Sequence, residues 1–427
     1  MRSIDGVVTG VAPGGVSRLA GRCAGATCRS CLTRGLLPVL DLGDMPLTSR
    51  FPTTRGAAEA RFPLEVAFCP ECTLMQVVED VPTEEMFKFD YPYYSSFSQA
   101  LLDHAKASAG SMIASRRLGA ASLVIELASN DGYMLRNYVE AGIPALGIDP
   151  ADGPAQAARD VGVTTICEFF TSELARKLAG AGERADVVLA NNVMAHVPDL
   201  NDFVKGIATV LKPTGVAVIE VAYARDLVGH CEFDTIYHEH VCNYSVTAIQ
   251  ALFARHGLFV NHVEQIAIHG GSIRVFAEHV DEPKASVLRL LEEERSLGMH
   301  EHAYYATFGE RVSNLTANLR GLVDSLRGEG QRVAAYGAAA KGVIMVGAAG
   351  LDDTLIDFVV DRNVHKHGKF LPGARIPVRP VEALVEDMPG YTLLLAWNFK
   401  EEILRQQAAY RERGGKFIVP VPWPEVV

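Results

Sequence analysis

The sequence predicts an α/β protein built from a small N-terminal module and two consecutive domains with mostly parallel sheets. Two close pairs of cysteines fall within the first 72 residues, strand-like apolar runs alternate with helical stretches from about residue 97, and a second alternation begins near residue 332. Such alternation is typical of a doubly wound sheet. A chain of 427 residues is long enough for two or three domains.

The first part of the chain divides into a tail and a module. Residues 1–22 are rich in glycine and other small residues and lack periodicity, so we expect a disordered tail there. Residues 23–96 contain turn-forming runs and little helical periodicity, which predicts a small module with its own short sheet. The core of this module is too small to fold without further support.

A metal bound by the two cysteine pairs would give that support. Cys28 and Cys31 are separated by two residues, and so are Cys69 and Cys72. Each pair on a tight turn provides two corners of a tetrahedron, and four thiolates complete the coordination of a structural zinc ion. Incidental cysteines and a redox pair are the alternatives, although the strand and helix that flank a redox pair are missing here.

The central domain is predicted over residues 97–282. A helix over residues 98–117 precedes the sheet, and the parallel strands are predicted at 123–127, 145–149, 164–167, 186–190 and 216–221. Two more candidates, 258–266 and 272–278, are separated by a His-Gly-Gly turn, so we expect an antiparallel hairpin at the sheet edge. The carboxyl ends of the parallel strands then form one edge of the sheet, where a ligand binds.

A nucleotide-like cofactor is predicted at that edge. The first strand carries Glu126 and runs into a short turn that opens a helix, a layout that brings backbone close to a ligand. The candidate cofactor contacts in this turn are Ala128, Asn130, Asp131 and Gly132. The second strand ends at Asp149, whose carboxylate can accept both ribose hydroxyls of a nucleoside.

Two features favour S-adenosylmethionine over a nicotinamide cofactor. The turn lacks the G-x-G-x-x-G motif that binds a pyrophosphate, and an acidic residue lies within the first strand. Phe169 offers an aromatic face to adenine, unless it is simply a core residue, and Asn191 and Asn192 follow the fourth strand where the amino-acid part of the cofactor would lie. Ala128 stands where the first loop of a methyltransferase usually has a glycine. We therefore predict a class I methyltransferase domain with a Rossmann-like sheet.

A dense group of ionisable side chains follows the fifth strand. Tyr237, Glu239 and His240 lie within residues 234–244, and His196 follows the fourth strand, either in the same cleft or as a capping or core histidine. His238 and His240 are two residues apart and cannot easily share one ion, which favours catalysis over metal binding. Upstream of the sheet, Tyr91, Tyr93 and Ser96 supply further hydroxyl groups as candidate acceptor contacts, although one or two of the tyrosines in this segment can be packing residues only.

These side chains suit the methylation of carbon. A carbon nucleophile forms when a base removes a proton beside a carbonyl group, and the resulting enolate oxygen needs a stabilising donor. A histidine can be the base, and a tyrosine hydroxyl or a second histidine the donor. Methylation of oxygen needs only a base, so the number of polar groups indicates carbon chemistry.

The C-terminal part of the chain, residues 283–427, is predicted to form a second α/β domain. Helical stretches at 286–298 and 306–327 lead into strand candidates at 332–336, 355–360, 392–397 and 416–421. Nothing in the order of these elements identifies a ligand, since one fold hosts many functions.

Composition excludes several other classes of protein. With 48% hydrophobic and 21% charged residues the chain is an ordinary globular protein, and its net charge of −11 disfavours nucleic acids and anionic membranes as partners. No apolar run reaches the roughly 18 residues that span a bilayer. The first residues do not match a signal peptide, so we expect a cytoplasmic protein.

The motifs taken together resemble a known family, the nucleotide-sugar 3-C-methyltransferases of deoxysugar antibiotic pathways, such as the tetronitrose enzyme. The resemblance begins near Cys28 and extends to the C-terminus. It rests on the two cysteine pairs and on the runs Tyr91-x-Tyr93-x-Ser95-Ser96, Glu126-Leu-Ala-Ser-Asn-Asp-Gly132, Asn191-Asn192, His196-Val-Pro-Asp199, Tyr237-His-Glu-His240, His269-Gly-Gly-Ser272, Tyr336-Gly-Ala-Ala-Ala-Lys341-Gly342 and Leu395-Ala-Trp-Asn398-Phe399.

The resemblance implies a substrate and a role for each part. A dTDP-4-keto-deoxysugar would lie between a zinc module, a methyltransferase domain and a Rossmann-like C-terminal domain. His240 would take the proton from carbon 3, while Tyr237, Glu239, His196 and Tyr91 position the sugar and stabilise the enolate. The resemblance also makes Lys341 a candidate sugar or phosphate contact, with Asp361 and Asn398 at neighbouring strand ends.

Two other functions remain open at this point. The same fold and cofactor can serve a keto compound that is not a sugar, because the fold does not fix the acceptor. A zinc-stabilised binding protein with an inactive methyltransferase domain is the other alternative. The partner expected from the resemblance is a small molecule; the oligomeric state stays open, and a monomer is compatible with the sequence.

Overall fold

Three sheets organise the described residues, one for each predicted part. The computed structural model describes residues 13–82, 86, 93–267 and 270–427. The strands are β1 Leu37–Pro46, β2 Arg61–Phe68, β3 Met75–Val77, β4 Val124–Leu127, β5 Ala145–Ile148, β6 Thr164–Ile166, β7 Ala185–Asn191, β8 Leu211–Ala222, β9 Cys242–Asn243, β10 Phe259–Ile266, β11 Ser272–Glu278, β12 Val333–Tyr336, β13 Val359–Val360, β14 Val378–Arg379, β15 Tyr391–Leu394, β16 Lys416–Val419 and β17 Glu425–Val426.

Helices cover the faces of the two larger sheets. In the described residues they are α1 Pro13–Gly25, α2 Gln99–Arg116, α3 Arg136–Glu140, α4 Asp152–Asp160, α5 Ser172–Gly180, α6 Leu200–Val210, α7 Ala224–Gly229, α8 Val246–Ala254, α9 Ala285–Ser296, α10 His302–Ala306, α11 Phe308–Gly328, α12 Ala340–Ala348, α13 Ala383–Asp387, α14 Lys400–Gln406 and α15 Ala408–Glu412. Within the described parts of the chain, no helix is long and apolar enough to span a membrane.

The N-terminal module is an antiparallel sheet preceded by α1. The sheet has the order β1-β2-β3-β9, and its fourth strand, Cys242–Asn243, is contributed by the central domain. Residues 13–22 form part of α1 and differ from the disordered tail expected there, because Leu19 and Cys23 bury their side chains in the core beneath the helix. Residues 1–12 lie outside the described residues.

Two matching turns hold the four cysteines of the module together. Leu32 donates its N–H to the Cys28 carbonyl at 3.0 Å, and Thr73 donates to the Cys69 carbonyl at 2.9 Å. Leu32 and Thr73 adopt left-handed conformations, with φ of 64° and 62°, which close each turn after the second cysteine of its pair.

The geometry of the four thiols fits a structural zinc ion. The sulfur atoms of Cys28, Cys31, Cys69 and Cys72 all lie within 4.8 Å of one another, and they form the one such group of potential ligands in the described residues. Two of the sulfur pairs, Cys28–Cys72 and Cys31–Cys69, are 3.5 Å apart. Four thiolates in a nearly closed shell favour zinc and leave no position for a substrate.

The central sheet has the order β6-β5-β4-β7-β8-β11-β10, with the first five strands parallel. All five parallel strands appear where the alternation predicts them. The expected hairpin is confirmed, since β10 and β11 are antiparallel. In detail, β11 inserts between β8 and β10, so the edge strand is β10. This order places the carboxyl ends of β4, β5, β7 and β8 side by side.

Short polar residues fix where the helices nearest that edge begin. Ser98 accepts a hydrogen bond from the Leu101 N–H, Asp199 from the Asp202 N–H, and Ser245 from the Ala248 N–H. Each bond satisfies an N–H group that has no partner within its helix, which stabilises a helix start by about 1 kcal/mol. The caps therefore set the positions at which the chain leaves the cleft and enters α2, α6 and α8.

Helix α9 belongs with the central sheet rather than with the C-terminal domain to which its sequence position assigns it. Val287 and Leu290 lie in the core of the central domain. The buried carboxylate of Glu294 accepts hydrogen bonds from the Tyr223 hydroxyl at 2.8 Å and from the Val246 and Thr247 backbone N–H groups. This carboxylate caps α8, which ties α9 to the central domain.

The C-terminal sheet has the order β14-β13-β12-β15-β16-β17, parallel except for β17. Its core is continuous with that of the N-terminal module. Phe68 of β2 packs against Tyr305 with ring centroids 4.7 Å apart, and His302 donates to the Pro38 carbonyl at 2.7 Å. The module is thus held between the two larger domains.

We expect the purified protein to carry about one zinc ion per chain. Cys72→Ser should reduce the zinc content below about half an equivalent and should lower the midpoint of thermal unfolding, because zinc binding supplies folding free energy of the order of 10 kcal/mol in small modules. Cys167→Ser, which changes a cysteine outside the cluster, is the matched control and should keep the metal. Elemental analysis of the native protein that finds no zinc and four free thiols would contradict this assignment.

Candidate active site

The turn after β4 is the part of the site with the most constrained backbone. Ala128, Asn130 and Gly132 all have positive φ angles, of 53°, 49° and 76°. A side chain at position 132 would meet Val163 at 3.1 Å and the backbone of Ala158 at 3.3 Å, so glycine is required there by space as well as by conformation. The alanine at 128 adopts the conformation that a glycine would take, so the turn keeps its shape.

Asp149 joins this turn to the end of β5. Its carboxylate accepts hydrogen bonds from the Asn130 N–H at 2.8 Å and the Ala151 N–H at 2.9 Å. Burial raises the pKa of Asp149 to about 6, and the two backbone donors oppose that rise. The carboxylate is therefore ionised at neutral pH and can accept further hydrogen bonds from ribose hydroxyls.

Several buried polar atoms beside the turn have no hydrogen-bond partner among the described residues. They include Glu126 Oε2, Ser129 Oγ and Asp131 Oδ1. The other oxygen of Glu126 accepts a bond from the Asn191 side chain at 3.1 Å, and burial raises the pKa of Glu126 well above its usual value. Buried polar groups normally have partners, so atoms left without one indicate a ligand. Acceptors at this position fit the amino group and hydroxyls of S-adenosylmethionine.

The side chains of Asn130 and Asp131 have a second task. Asn130 accepts a hydrogen bond from the Ser95 N–H at 2.9 Å and donates to the Tyr93 carbonyl at 3.2 Å, while Asp131 accepts from the Ser96 N–H at 3.0 Å. Both residues thus bind the segment before α2 onto the cofactor turn. Tyr93 and Ser96, predicted as acceptor contacts, lie directly beside the predicted cofactor site. Tyr91 lies outside the described residues.

Phe169 lines a shallow pocket rather than the core. Its side chain is 37% exposed, which is incompatible with a core position. The pocket has a volume of about 380 Å³ and is also lined by Pro150, Cys167, Thr171 and Leu174. Since Pro150 directly follows Asp149, this pocket lies on the side of the site where an adenine ring would continue from the ribose.

Asn192 has a φ of 54° and donates its N–H to the Glu220 carbonyl at 2.8 Å, which turns the chain after β7.

Three aromatic side chains, two of them histidines, meet beyond the ends of β7 and β8. The rings of His196 and His240 have centroids 4.7 Å apart, and the Tyr237 hydroxyl lies 2.6 Å from His240 Nε2. A turn brings them together, because the His240 N–H donates to the Tyr237 carbonyl at 2.8 Å. The sequence prediction of a common cleft for these residues agrees with this arrangement.

Backbone carbonyls determine which ring nitrogen carries the hydrogen in the neutral form of both histidines. His240 Nδ1–H donates to the Thr235 carbonyl at 2.7 Å, and His196 Nδ1–H donates to the Glu239 carbonyl at 2.6 Å. In a neutral imidazole the other nitrogen then carries a lone pair, so His240 Nε2 accepts the hydrogen bond from the Tyr237 phenol. Burial lowers the pKa of His196 to about 4, so this ring is neutral at physiological pH.

The two residues between Tyr237 and His240 point the other way, into the N-terminal module. Thr48 donates its hydroxyl to both carboxylate oxygens of Glu239, at 3.1 and 3.0 Å. His238 Nε2 lies 3.2 and 3.3 Å from the Phe62 and Pro63 carbonyls of β2. Glu239, predicted to position the sugar, therefore contacts the module with its side chain and His196 with its backbone.

Asp361 and Asn398 follow strands β13 and β15 of the C-terminal domain, whereas Lys341 lies in the first turn of α12. Lys341 Nζ sits 4.5 Å from the centroid of the Trp397 ring, with the carboxylates of Glu232 and Asp234 nearby. The carboxylate of Asp361 accepts hydrogen bonds from the Ala338 and Asn363 N–H groups, each at 2.7 Å. Asn398 lies in the short turn Trp397–Phe399. The structure thus gives Lys341 and Asp361 protein partners.

Some contributors to the site were not predicted from the sequence. Thr48 has no motif around it. Glu220, at the end of β8, forms a buried network with Arg274 at 2.6 Å and His104 at 3.0 Å, which braces α2 against the sheet. A signal did exist for Gly270, which lies in a Gly-Gly turn: a Cβ there would be 2.7 Å from Glu232 Oε2 and 2.9 Å from the Trp397 ring.

Binding of S-adenosylmethionine should weaken as the pH falls. Protonation of Asp149 below a pH of about 6 removes an acceptor for the ribose, so the Kd measured by calorimetry should rise between about pH 7.5 and about pH 5. Asp149→Asn should weaken binding roughly 10- to 100-fold, the effect of losing a charged hydrogen-bond acceptor. The pH dependence should also be smaller in this variant.

Asp160→Asn, on the exposed end of α4, is the control for that experiment and should bind like the unmodified protein. Equal Kd values for Asp149→Asn and Asp160→Asn would show that the ribose is held elsewhere.

Comparison with known families agrees with this three-part site. A family of zinc binding domains matches residues 28–87, a methyltransferase domain family matches 101–263, and a family described as the C-terminal domain of C-methyltransferases matches 267–422. The C-methyltransferase NovU from Streptomyces niveus is 36% identical over 405 residues, which cover 94% of this chain and 96% of NovU. A ubiquinone biosynthesis O-methyltransferase from Azorhizobium caulinodans is 30% identical over only 100 residues, or 22% of this chain and 38% of the relative.

Solved structures resemble part of the chain. YcgJ from Bacillus subtilis covers 42% of this chain and 99% of its own, with 14% identity and a TM-score of 0.34. The magnesium protoporphyrin IX methyltransferase from Synechocystis, solved with bound S-adenosylmethionine, covers 41% of this chain and 78% of its own, with 14% identity and a TM-score of 0.32. These likenesses are too weak to add evidence on the fold beyond the strand order itself. The likeness to NovU along nearly the whole chain, with the family matches, shows that this protein belongs to a family of zinc-binding, S-adenosylmethionine-dependent C-methyltransferases.

Proposed function

We propose that this protein methylates carbon 3 of a 4-keto-deoxysugar linked to a nucleotide. The observation that carries the proposal is the geometry of His240, whose Nδ1–H is held by the Thr235 carbonyl while Nε2 keeps a lone pair. A base of this kind is needed to methylate a carbon beside a ketone and is not needed to hold a cofactor. The acceptor class rests on the resemblance of the motifs to nucleotide-sugar 3-C-methyltransferases.

The cofactor binds across the ends of β4, β5 and β7 in this proposal. Asp149 accepts the ribose hydroxyls, Glu126 and Asp131 face the amino-acid part, and Phe169 covers the adenine. S-adenosylmethionine supplies an electrophilic methyl group on a positively charged sulfur. In the described residues, Glu126 and Asp149 accept hydrogen bonds from a neutral side chain and from backbone N–H groups, not from a protein cation. No protein cation among these residues therefore competes with the positively charged sulfur for these two acidic groups.

The acceptor lies beside His240, with its carbon 3 toward Nε2. The lone pair of Nε2 takes the proton from carbon 3, and the electrons of the broken C–H bond move into the ketone to form an enolate. The carbon of this enolate would then bond to the methyl group as the bond from that group to sulfur breaks, so that S-adenosylhomocysteine leaves and the proton on His240 is released to water. Fixing the imidazole before the reaction avoids the cost of orienting it in the transition state.

Tyr237 and His196 serve the same step in different ways. The Tyr237 phenol donates to His240 Nε2 at 2.6 Å before the proton is transferred. Nε2 has a single lone pair, so the phenol must turn away from it before the carbon 3 proton is taken, and the same rotation directs its O–H toward the enolate oxygen. His196 stays neutral because its pKa is about 4, which leaves the neighbouring His240 free of a second positive charge when it becomes protonated.

His240→Asn should keep cofactor binding and lose most turnover, by roughly 10²- to 10⁴-fold, the usual contribution of a general base. The measurement is methyl transfer to a nucleotide-linked 4-keto sugar, together with exchange of the carbon 3 proton into deuterium oxide. Both rates should fall by similar factors. His300→Asn, at an exposed histidine, is the matched control. If His240→Asn exchanges the proton at the normal rate, the base is another residue, and His196 would be tested next.

The acceptor class is tested by comparing three compounds: a nucleotide-linked 4-keto-deoxysugar, the same sugar without the nucleotide, and a keto compound that is not a sugar. We expect measurable kcat/KM only for the first. The cofactor must bind in all three assays as a positive control. Methyl transfer to the compound that is not a sugar, at a higher kcat/KM, would contradict the proposed acceptor.

A further inference from the structure

A hydrogen bond joins the C-terminal domain to the segment that carries His240. Trp397, in the short turn that follows β15, donates its indole N–H to Asp234 Oδ2 at 2.7 Å. Asp234 is completely buried and lies in the short 3-10 turn Phe233–Thr235 of the central domain. A bond between an indole and a buried carboxylate is stronger than an exposed one, because water does not compete for either group.

Asp234 lies one residue before the carbonyl that orients His240. The Thr235 N–H donates to the Glu232 carbonyl at 3.1 Å, and the Ile236 N–H donates to the Phe233 carbonyl at 3.0 Å, so this turn is a closed unit. The Thr235 carbonyl then accepts the His240 Nδ1–H at 2.7 Å. A displacement of Asp234 therefore moves the acceptor that selects the tautomer of His240.

Further groups of the C-terminal domain lie around the turn that carries Asp234. Lys341, at the start of α12, places its ammonium 4.5 Å from the centroid of the Trp397 ring and lies near Asp234 and Glu232. Helix α12 packs directly against the Phe233–Thr235 turn. On the other side, Gly270 leaves room for the Trp397 ring, since a Cβ there would be 2.9 Å from it. The indole is thus fixed by a cation above it and a backbone beside it.

We propose that Trp397 and Asp234 are positioning residues for the base: the indole–carboxylate bond fixes the turn whose carbonyl holds His240 with Nε2 ready to accept a proton. Lys341 acts with them by holding the indole, rather than by binding a phosphate. The effect on turnover rests on the proposed function of His240. Docking of the C-terminal domain is therefore a condition for proton removal, and the domain serves more than acceptor binding.

Trp397→Phe tests the proposal, since it keeps an aromatic ring for Lys341 and removes only the N–H donor. We expect kcat to fall roughly tenfold or more, with little change in the KM of the acceptor or in the Kd of S-adenosylmethionine. Proton exchange at carbon 3, measured with S-adenosylhomocysteine in place of the cofactor, should fall by the same factor as kcat. Trp423→Phe is the matched control, because Trp423 is exposed and is the other tryptophan of the chain.

Asp234 provides the conservative rescue. Asp234→Asn keeps an oxygen that can accept the indole N–H, whereas Asp234→Ala does not. Turnover should therefore decrease in the order unmodified protein, Asp234→Asn, Asp234→Ala. A merely structural residue would instead lower the thermal unfolding midpoint without lowering kcat of the folded fraction. Equal kcat for all three proteins would overturn the proposal.

A readout that does not depend on activity separates this proposal from the proposed function. In protein labelled with ¹⁵N-histidine, the His240 signal, assigned by its loss in His240→Asn, should report the Nδ1–H tautomer. In Trp397→Phe and Asp234→Ala this signal should shift toward the other tautomer or toward an average of the two. An unchanged tautomer in both variants would overturn the positioning role. If the tautomer shifts but no keto sugar exchanges its proton, the proposed function fails and the positioning role stands.

Discussion

The arrangement of the site depends on one piece of backbone pairing. Cys242 and Asn243 pair with Gln76 and Met75 of β3, and the Val77 N–H donates to the Val241 carbonyl at 2.9 Å. These bonds attach the chain directly after His240 to a strand of the zinc module. A short strand pair of this kind is not stable alone in water, so its stability comes from the module behind it. A zinc ion bound by the four cysteines would therefore stabilise the position of the chain around His240.

Burial also affects the charge of the groups around His240. Glu239 is completely enclosed, and burial raises its pKa, yet its carboxylate accepts two bonds from Thr48. Burial raises the pKa of Glu232 to about 8 and that of Asp234 to about 6, and Lys341 opposes both shifts. His196 is kept neutral by the same desolvation. A cleft of this kind costs stability, and the cost is offset where bonds hold the buried groups in defined positions.

The sequence was most informative where a local pattern alone dictates the structure. Cysteine spacing predicted the metal cluster because two residues between thiols close a tight turn. The alternation of apolar runs predicted the five parallel strands, and the position of Asp149 follows from its strand.

Other elements could not be predicted from a local pattern. Strands β9, β14 and β17 have two residues each, too few to show a period. The packing of α9 on the central sheet also escaped prediction, because Val287 and Leu290 fit either of two cores.

Contacts between distant segments carry the rest of the site, and sequence order contains little information about them. Thr48 and Glu239 are 191 positions apart, and Asp234 and Trp397 are 163 apart. Each of these contacts can be recognised only from the residues that surround it in the folded structure. Gly270 has a φ of 99° and no space for a side chain, because Glu232 and Trp397 fill the volume that a Cβ would need.

A methyltransferase domain without a C-terminal partner has no tryptophan to accommodate at this turn, so the glycine there serves the three-part architecture in addition to the positive φ of the turn. The same reasoning applies to Asp234. A carboxylate with no solvent exposure would be costly in a single domain and is stabilised here by a donor from another. The residues that distinguish this family from single-domain methyltransferases should therefore lie at the domain junction as well as in the cofactor turn, which all class I domains need.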